Sequence, residues 1–237
     1  MAESDRRVDA VSAARPTRRP ALSGDAVKAL IVRGGWAGHE PVACTDLFAG
    51  FLRDHGAKIK ITDDLDVYAE GEPADLIVHC WTRGGLTAEQ EAGLVERVRA
   101  GAGLAGWHGG ILAFGYEAAR YQYLVGGRFL CHPGDLVDYR VELTGDHPIT
   151  AGLDGFAVHT EQYYCHVDPG LEVLATTTFT GAHGAPETAG VVMPVVWARS
   201  FGRGRVFVST LGHSRADFDV PQTRTITERG LLWAAGR

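Results

Sequence analysis

"GLAGWHGG", residues 103–110, decides how this chain is read. Its first five residues have the apolar, small-residue character of a buried strand, and the glycines around His108 mark a sharp turn. Many α/β enzymes display a reactive side chain at such a strand-to-helix turn, as Gly-x-nucleophile-x-Gly. Here the central position is histidine, a side chain suited to acid–base work or metal ligation. The same stretch contains a misleading match, because "GAGLAG" (101–106) fits G-x-G-x-x-G. A dinucleotide loop follows a strand and opens a helix. Here a helix precedes the motif and a strand runs through it, so neither NAD nor FAD is expected.

Working outward, "AVKALIVRGG" (26–35), "KIKIT" (58–62) and "ADLIVHCW" (74–81) read as strands. Between them, "PVACTDLFAGFLRDHG" (41–56) has helical apolar spacing and closes on Gly56. Thr87 opens a second helix, with Gln90 completing a capping box, and Gly101 ends it. After the His108 turn a helix is expected through "YEAARYQYLVGG" (116–127). Alternating strands and helices predict an α/β fold, a mostly parallel central sheet with helices on both faces. The second half changes character: "DYRVELT", "LEVLATTTF", "MPVVWARSF" and "GRVFVSTL" add antiparallel strands, with a hairpin at "FGRG" (201–204). A final helix covers about 222–235.

The first 24 residues stand apart: rich in Arg, Ala and Ser, without sustained period or an apolar signal segment, they read as a flexible tail. Residues 25–237 read as a single domain, large enough for a full core. A net charge of −6 argues against a nucleic-acid partner. No apolar run approaches the roughly 20 residues needed to cross a bilayer. Cys44, Cys80, Cys131 and Cys165 form no C-x-x-C pair, which fits reduced thiols in a cytoplasmic protein.

In open α/β sheets ligands bind beyond the carboxyl ends of the strands. His39 follows the first strand, His108 the fourth and His213 the last. "HTEQYYCH" (159–166), if extended, puts Glu161 and Tyr163 on one face with His159 in register. His39, His108 and His213 are candidate metal ligands, and zinc accepts such donors beside Glu161. A metal-free acid–base site accepts them equally, with Glu161 as base and His108 or His213 as acid. His132 is a further site candidate, whereas His147 in "DHPIT" reads as a turn residue. Trp36, Trp81 and Trp107 lie at strand ends on the expected mouth, where with Tyr163 and His39 they would hold a substrate.

These pieces together resemble the trehalose-utilisation (ThuA-like) family. The matching segments are "GGWAGHE", "GWHGG", "YLVGGRFLCHP", "DHPITAGL", "TEQYY", "PVVWARSFGRGRVFVSTLGH" and "RGLLWAA", spanning roughly 27–235. The resemblance implies a flavodoxin-like fold of the class I glutamine amidotransferase type, and a role in catabolism of trehalose or 3-keto sugars. The amidotransferases carry cysteine in the elbow where this chain has His108, so glutaminase activity is not expected. The expected ligand is a small neutral sugar, with self-association left open. The alternative is a non-catalytic sugar-binding or interaction module that kept the fold.

Overall fold

The computed structural model describes residues 26–237, so the stretch read as a tail lies outside the described residues. In chain order the first half runs β1 (Lys28–Gly35), α1 (Pro41–Asp54), β2 (Lys58–Thr62), α2 (Val67–Glu70), β3 (Leu76–Thr82) and α3 (Ala88–Arg99). It continues with β4 (Gly103–Trp107), α4 (Gly109–Leu112) and α5 (Ala119–Val125). Then follow β5 (Gly127–Cys131), β6 (Leu136–Leu143), β7 (Phe156–Glu161), β8 (Tyr164–Val167) and β9 (Glu172–Thr178). The chain closes with β10 (Val192–Phe201), β11 (Gly204–Ser209) and α6 (Pro221–Ala234).

Nine strands form one sheet in the order β2-β1-β3-β4-β11-β10-β9-β6-β7. The half from β2 to β11 is parallel and the half from β11 to β7 antiparallel. The parallel strands are apolar on both sides because each faces a core. Ala29, Ile31, Leu76, Val78 and Phe207 pack toward α1 and α6. Leu30, Val32, Ile77 and Val208 pack toward α3 and α5. On α1, Cys44, Phe48 and Leu52 recur every four residues and are fully or almost fully buried, which fixes that helix against the sheet. The capping box expected at α3 is present, with Gln90 N–H donating to Thr87 Oγ1 at 3.2 Å and Thr87 N–H to Gln90 Oε1 at 2.9 Å.

Two readings need correction. The helix expected over 116–127 is shorter, because left-handed Gly115 (φ 61°) separates the single turn of α4 from α5, and left-handed Gly126 (φ 81°) stops α5. The residues beyond it become β5, which pairs with β8 as a separate two-stranded sheet. The second concerns the extended stretch 159–166. Val158 and Thr160 are buried and His159 exposed, but Glu161 is buried too, so the alternation breaks at the end of β7. His159, two residues before Glu161 on the same strand, stays outside the buried site: it lies on the surface, 3.0 Å from Asp138.

Candidate metal and acid–base site

Strand ends build the site. His108 follows β4 with φ 49° and ψ −143°, a strained backbone for any residue but glycine, of the kind that turns a side chain out at an elbow. Such a conformation costs on the order of 1–3 kcal/mol and persists where the surroundings impose it. Here its N–H donates to Ser209 O of β11 at 2.7 Å. A Cβ on the next residue, Gly109, would lie 2.3 Å from the His39 ring and 3.1 Å from the Tyr163 hydroxyl, so only glycine lets these side chains close over the turn.

Four side chains meet at this turn. His108 Nε2 lies 2.9 Å from Glu161 Oε2, and His213 Nδ1 lies 3.3 Å from the same oxygen and 3.4 Å from His108 Nε2. His39 Nε2 is 4.0 Å from Glu161 Oε2. One ligand atom from each of His39, His108, Glu161 and His213 can be chosen so that all lie within 4.8 Å of one another. His132 approaches the other carboxylate oxygen, with Nε2 3.7 Å from Oε1. His39, His108 and Glu161 form a buried floor, while His132 and His213 are half-buried.

The three histidines are each tied from behind, two by the ring and His213 by its backbone. His108 Nδ1 sits 2.7 Å from the Thr210 carbonyl, which can only accept, so Nδ1 carries the hydrogen and the Nε2 lone pair of a neutral ring points at Glu161. His39 Nδ1 is held by the Thr82 hydroxyl at 2.8 Å. The His213 backbone N–H donates to Asp217 Oδ2 at 3.0 Å, and that oxygen also receives the Thr160 hydroxyl at 2.6 Å. Tyr163 stacks on His108 with ring centres 4.0 Å apart.

The electrostatics follow from burial and crowding. Burial first, then the neighbouring His108 and His213, push His39 down to about 3. Burial also lowers His108, against the upward pull of its Glu161 contact. His213 is raised, chiefly by its hydrogen bond to Glu161. Burial pushes Glu161 up, but the neighbouring His108 and His213 outweigh it and hold the carboxyl below its usual range, so it is ionised.

Of the residues singled out in the sequence, His39, His108, His132, Glu161, Tyr163 and His213 come together. Trp36 stands at the rim, 41% exposed, with its ring centre 4.7 Å from that of His39. Trp81 is half-buried and packs on Gly34. Trp107 is a correction to the expected mouth: its side chain points into the opposite core, 1% exposed, against Phe48 and Phe218. His147 holds a turn, its Nδ1 accepting from Ile149 N–H. The sequence reading passed over Thr82, Asp217 and the Thr210 carbonyl. Thr82 and Thr210 follow the strand-end rule, but Asp217 offered no comparable signal. A cleft of about 330 Å³ opens at the other end of the strands, near Lys28, Lys58 and Pro73, and no histidine or cysteine lines it.

Residues 28–234 match the family model for trehalose utilisation, ThuA. No curated protein matches the sequence. Among solved structures, a protein from Parabacteroides merdae described as ThuA-like superposes with a TM-score of 0.69 at 17% identity, covering 89% of this chain and 90% of that one. One from Bacteroides uniformis, also described as ThuA-like, gives 0.68 at 21% identity over 93% and 94%. A cytoplasmic protein from Salmonella typhimurium LT2 gives 0.57 at 14% identity over 88% and 97%. At these identities the likeness is one of fold. No helix among the described residues is long and apolar enough to cross a membrane.

Proposed function

The chain belongs to the trehalose-utilisation (ThuA) family, and on that premise we propose that it serves sugar catabolism through metal-assisted acid–base chemistry on a disaccharide or 3-keto sugar. One observation carries the reading. The Thr210 carbonyl fixes the His108 tautomer, so a neutral His108 aims a lone pair at an ionised carboxylate oxygen 2.9 Å away. Two lone pairs at that distance repel, and a cation between them removes the conflict. Three imidazoles and a carboxylate suit zinc, whose tetrahedral ligand atoms sit roughly 3.3 Å apart for bonds of about 2.0–2.1 Å. The spacings of 3.3 and 3.4 Å around His213 agree with that value, and those from Glu161 Oε2 to His108 and His39, 2.9 and 4.0 Å, lie on either side of it.

Bound there, the ion would polarise a carbonyl or hydroxyl oxygen of the sugar, or acidify a water. The protein's own groups do the rest. Thr210 and Thr82 hold the His108 and His39 rings by their second nitrogens, as second partners of metal-binding histidines do, while Asp217 fixes the backbone that carries His213. Glu161 keeps its other oxygen, Oε1, toward half-buried His132 at 3.7 Å. That pair is placed to take a proton from a sugar hydroxyl and return one. The elbow holds no thiol, and burial pushes the Cys44 and Cys80 thiols up, so glutamine hydrolysis has no nucleophile here.

The test is metal analysis of the purified protein, followed by chelation, zinc restoration and assay of trehalose and 3-keto sugar conversion. We expect one zinc per chain, turnover lost with the metal and restored by it, and neither metal nor turnover in His108→Ala or Glu161→Ala. Undiminished turnover after chelation would refute metal assistance. Sugar binding without any turnover would instead favour the non-catalytic module.

A further inference from the structure

Arg83 follows Thr82, the residue that holds His39, and stands at the rim of the same site. Its guanidinium lies 4.7 Å above the centre of the Trp36 ring, and that ring meets His39 edge-on with centres 4.7 Å apart. The platform is fixed. Trp36 N–H donates to Thr82 O at 3.0 Å, and a Cβ on Gly38 would come within 2.4 Å of the indole, so the ring lies directly on that backbone. Arg83 itself has φ 68°, a left-handed conformation that glycine would adopt without strain, yet it precedes two glycines rather than being one. Its backbone is tied by an N–H donated to Ala113 O at 2.7 Å.

The side chain is exposed and, among the described residues, makes no hydrogen bond or ion pair. Arg33, Arg199 and Arg224, by contrast, pair with Asp46, Asp168 and Glu228. Other arginines, Arg53 and Arg120 among them, also lack an acidic partner among the described residues; what distinguishes Arg83 is its place over Trp36 at the rim of the site. A guanidinium is a planar fork of donors with no acceptor, matched to carboxylate or phosphate oxygens. It also covers the face of Trp36 on which a neutral sugar ring would stack.

We propose that Arg83 receives an anionic group of the substrate, a carboxylate or a phosphate monoester, so that this site selects an acidic sugar over a neutral one. The proposal rests on the sugar-directed reading above, and its test separates the two. Glucose, glucuronate, glucose 6-phosphate and inorganic phosphate are titrated calorimetrically into zinc-loaded and chelated wild type, Arg83→Lys and Arg83→Met, with zinc content measured in each. We expect glucuronate or glucose 6-phosphate to bind at least about tenfold tighter than glucose, with the tighter of the two naming the group. We expect the preference to vanish in Arg83→Met and persist in part in Arg83→Lys, which keeps the charge but loses the fork. Zinc content should be equal among the three zinc-loaded proteins. Glucose binding as tightly as the acids, or a preference that survives Arg83→Met, would overturn the proposal; the latter would place the anion on the metal. A preference that depends on Arg83 in protein that binds no zinc would uphold it while removing the metal reading.

Discussion

His79 offers a quantitative test of the electrostatics that needs no ligand. It sits on β3, fully buried, with Nδ1 2.6 Å from the Tyr68 hydroxyl, Nε2 without a hydrogen-bond partner among the described residues, and the rings of Phe114 and Tyr121 around it. Burial alone pushes its pKa from 6.5 down to about 3. The folded protein thus keeps this imidazole neutral while the unfolded chain takes up a proton. The stability from burying it neutral is complete above the unfolded value of 6.5 and is lost as pH falls from 6.5 to about 3. Each unit in that window costs about 1.4 kcal/mol, so going from about pH 7 to about pH 5 should remove about 2 kcal/mol through this group. Urea unfolding of wild type and His79→Phe at both pH values measures it. The variant will be less stable overall, since Tyr68 loses its partner. Its decline between the two pH values should nevertheless be smaller than that of wild type by about 2 kcal/mol, because the difference cancels the other titrating groups. Equal declines would show that His79 is not held neutral by its surroundings.

Three other outcomes follow from the packing around the site. Gly109→Ala should displace the His39 ring, which a Cβ would approach to 2.3 Å, and weaken zinc binding on the order of 10–100-fold, as read by competition with a chelating dye. Unchanged affinity would exclude His39 from the ligand set. Trp107→Ala should cost about 3–5 kcal/mol in chemical unfolding yet leave zinc stoichiometry intact in the cold, since its ring packs on Phe48 and Phe218 rather than on the ligands. A stable variant that had lost its metal would reverse that assignment. Alkylation should modify Cys131, the exposed thiol, well before buried Cys44, Cys80 and Cys165, and turnover should survive it; loss of turnover in step with labelling would implicate a thiol.

What the sequence disclosed, and what it withheld, divides along physical lines. The elbow at "GWHGG" was legible because a strand ending in flanking glycines has few other uses, and His39 and His213 because parallel strands deliver their ligands at one edge. Trp107 was misplaced because β4 is buried on both faces. Period-2 alternation then gives no signal, and a strand-end tryptophan reads the same whether it turns to the mouth or to the core. His159 and Glu161 share β7, but only Glu161, at the strand's end, reaches the buried site, and the strand does not run on through Tyr163, since β8 starts at Tyr164. Asp217 carries no local mark of its role. Its carboxylate accepts from the Thr160 hydroxyl, which reaches it across the fold, from the Ser214 hydroxyl and from the His213 backbone amide. Arg83 was passed over because its exposure and missing partner exist only in three dimensions.

The candidate residues His39, His108, Glu161 and His213 come from segments spread over most of the chain, and the last of them follows β11, the strand that joins the parallel half of the sheet to the antiparallel half. A chain cut before His213 lacks a member of the set, and no local hairpin or helix can assemble it. On the proposed zinc reading, ion capture would wait for a sheet closed around β4 and β11, and metal content would then report how much of the protein has folded correctly.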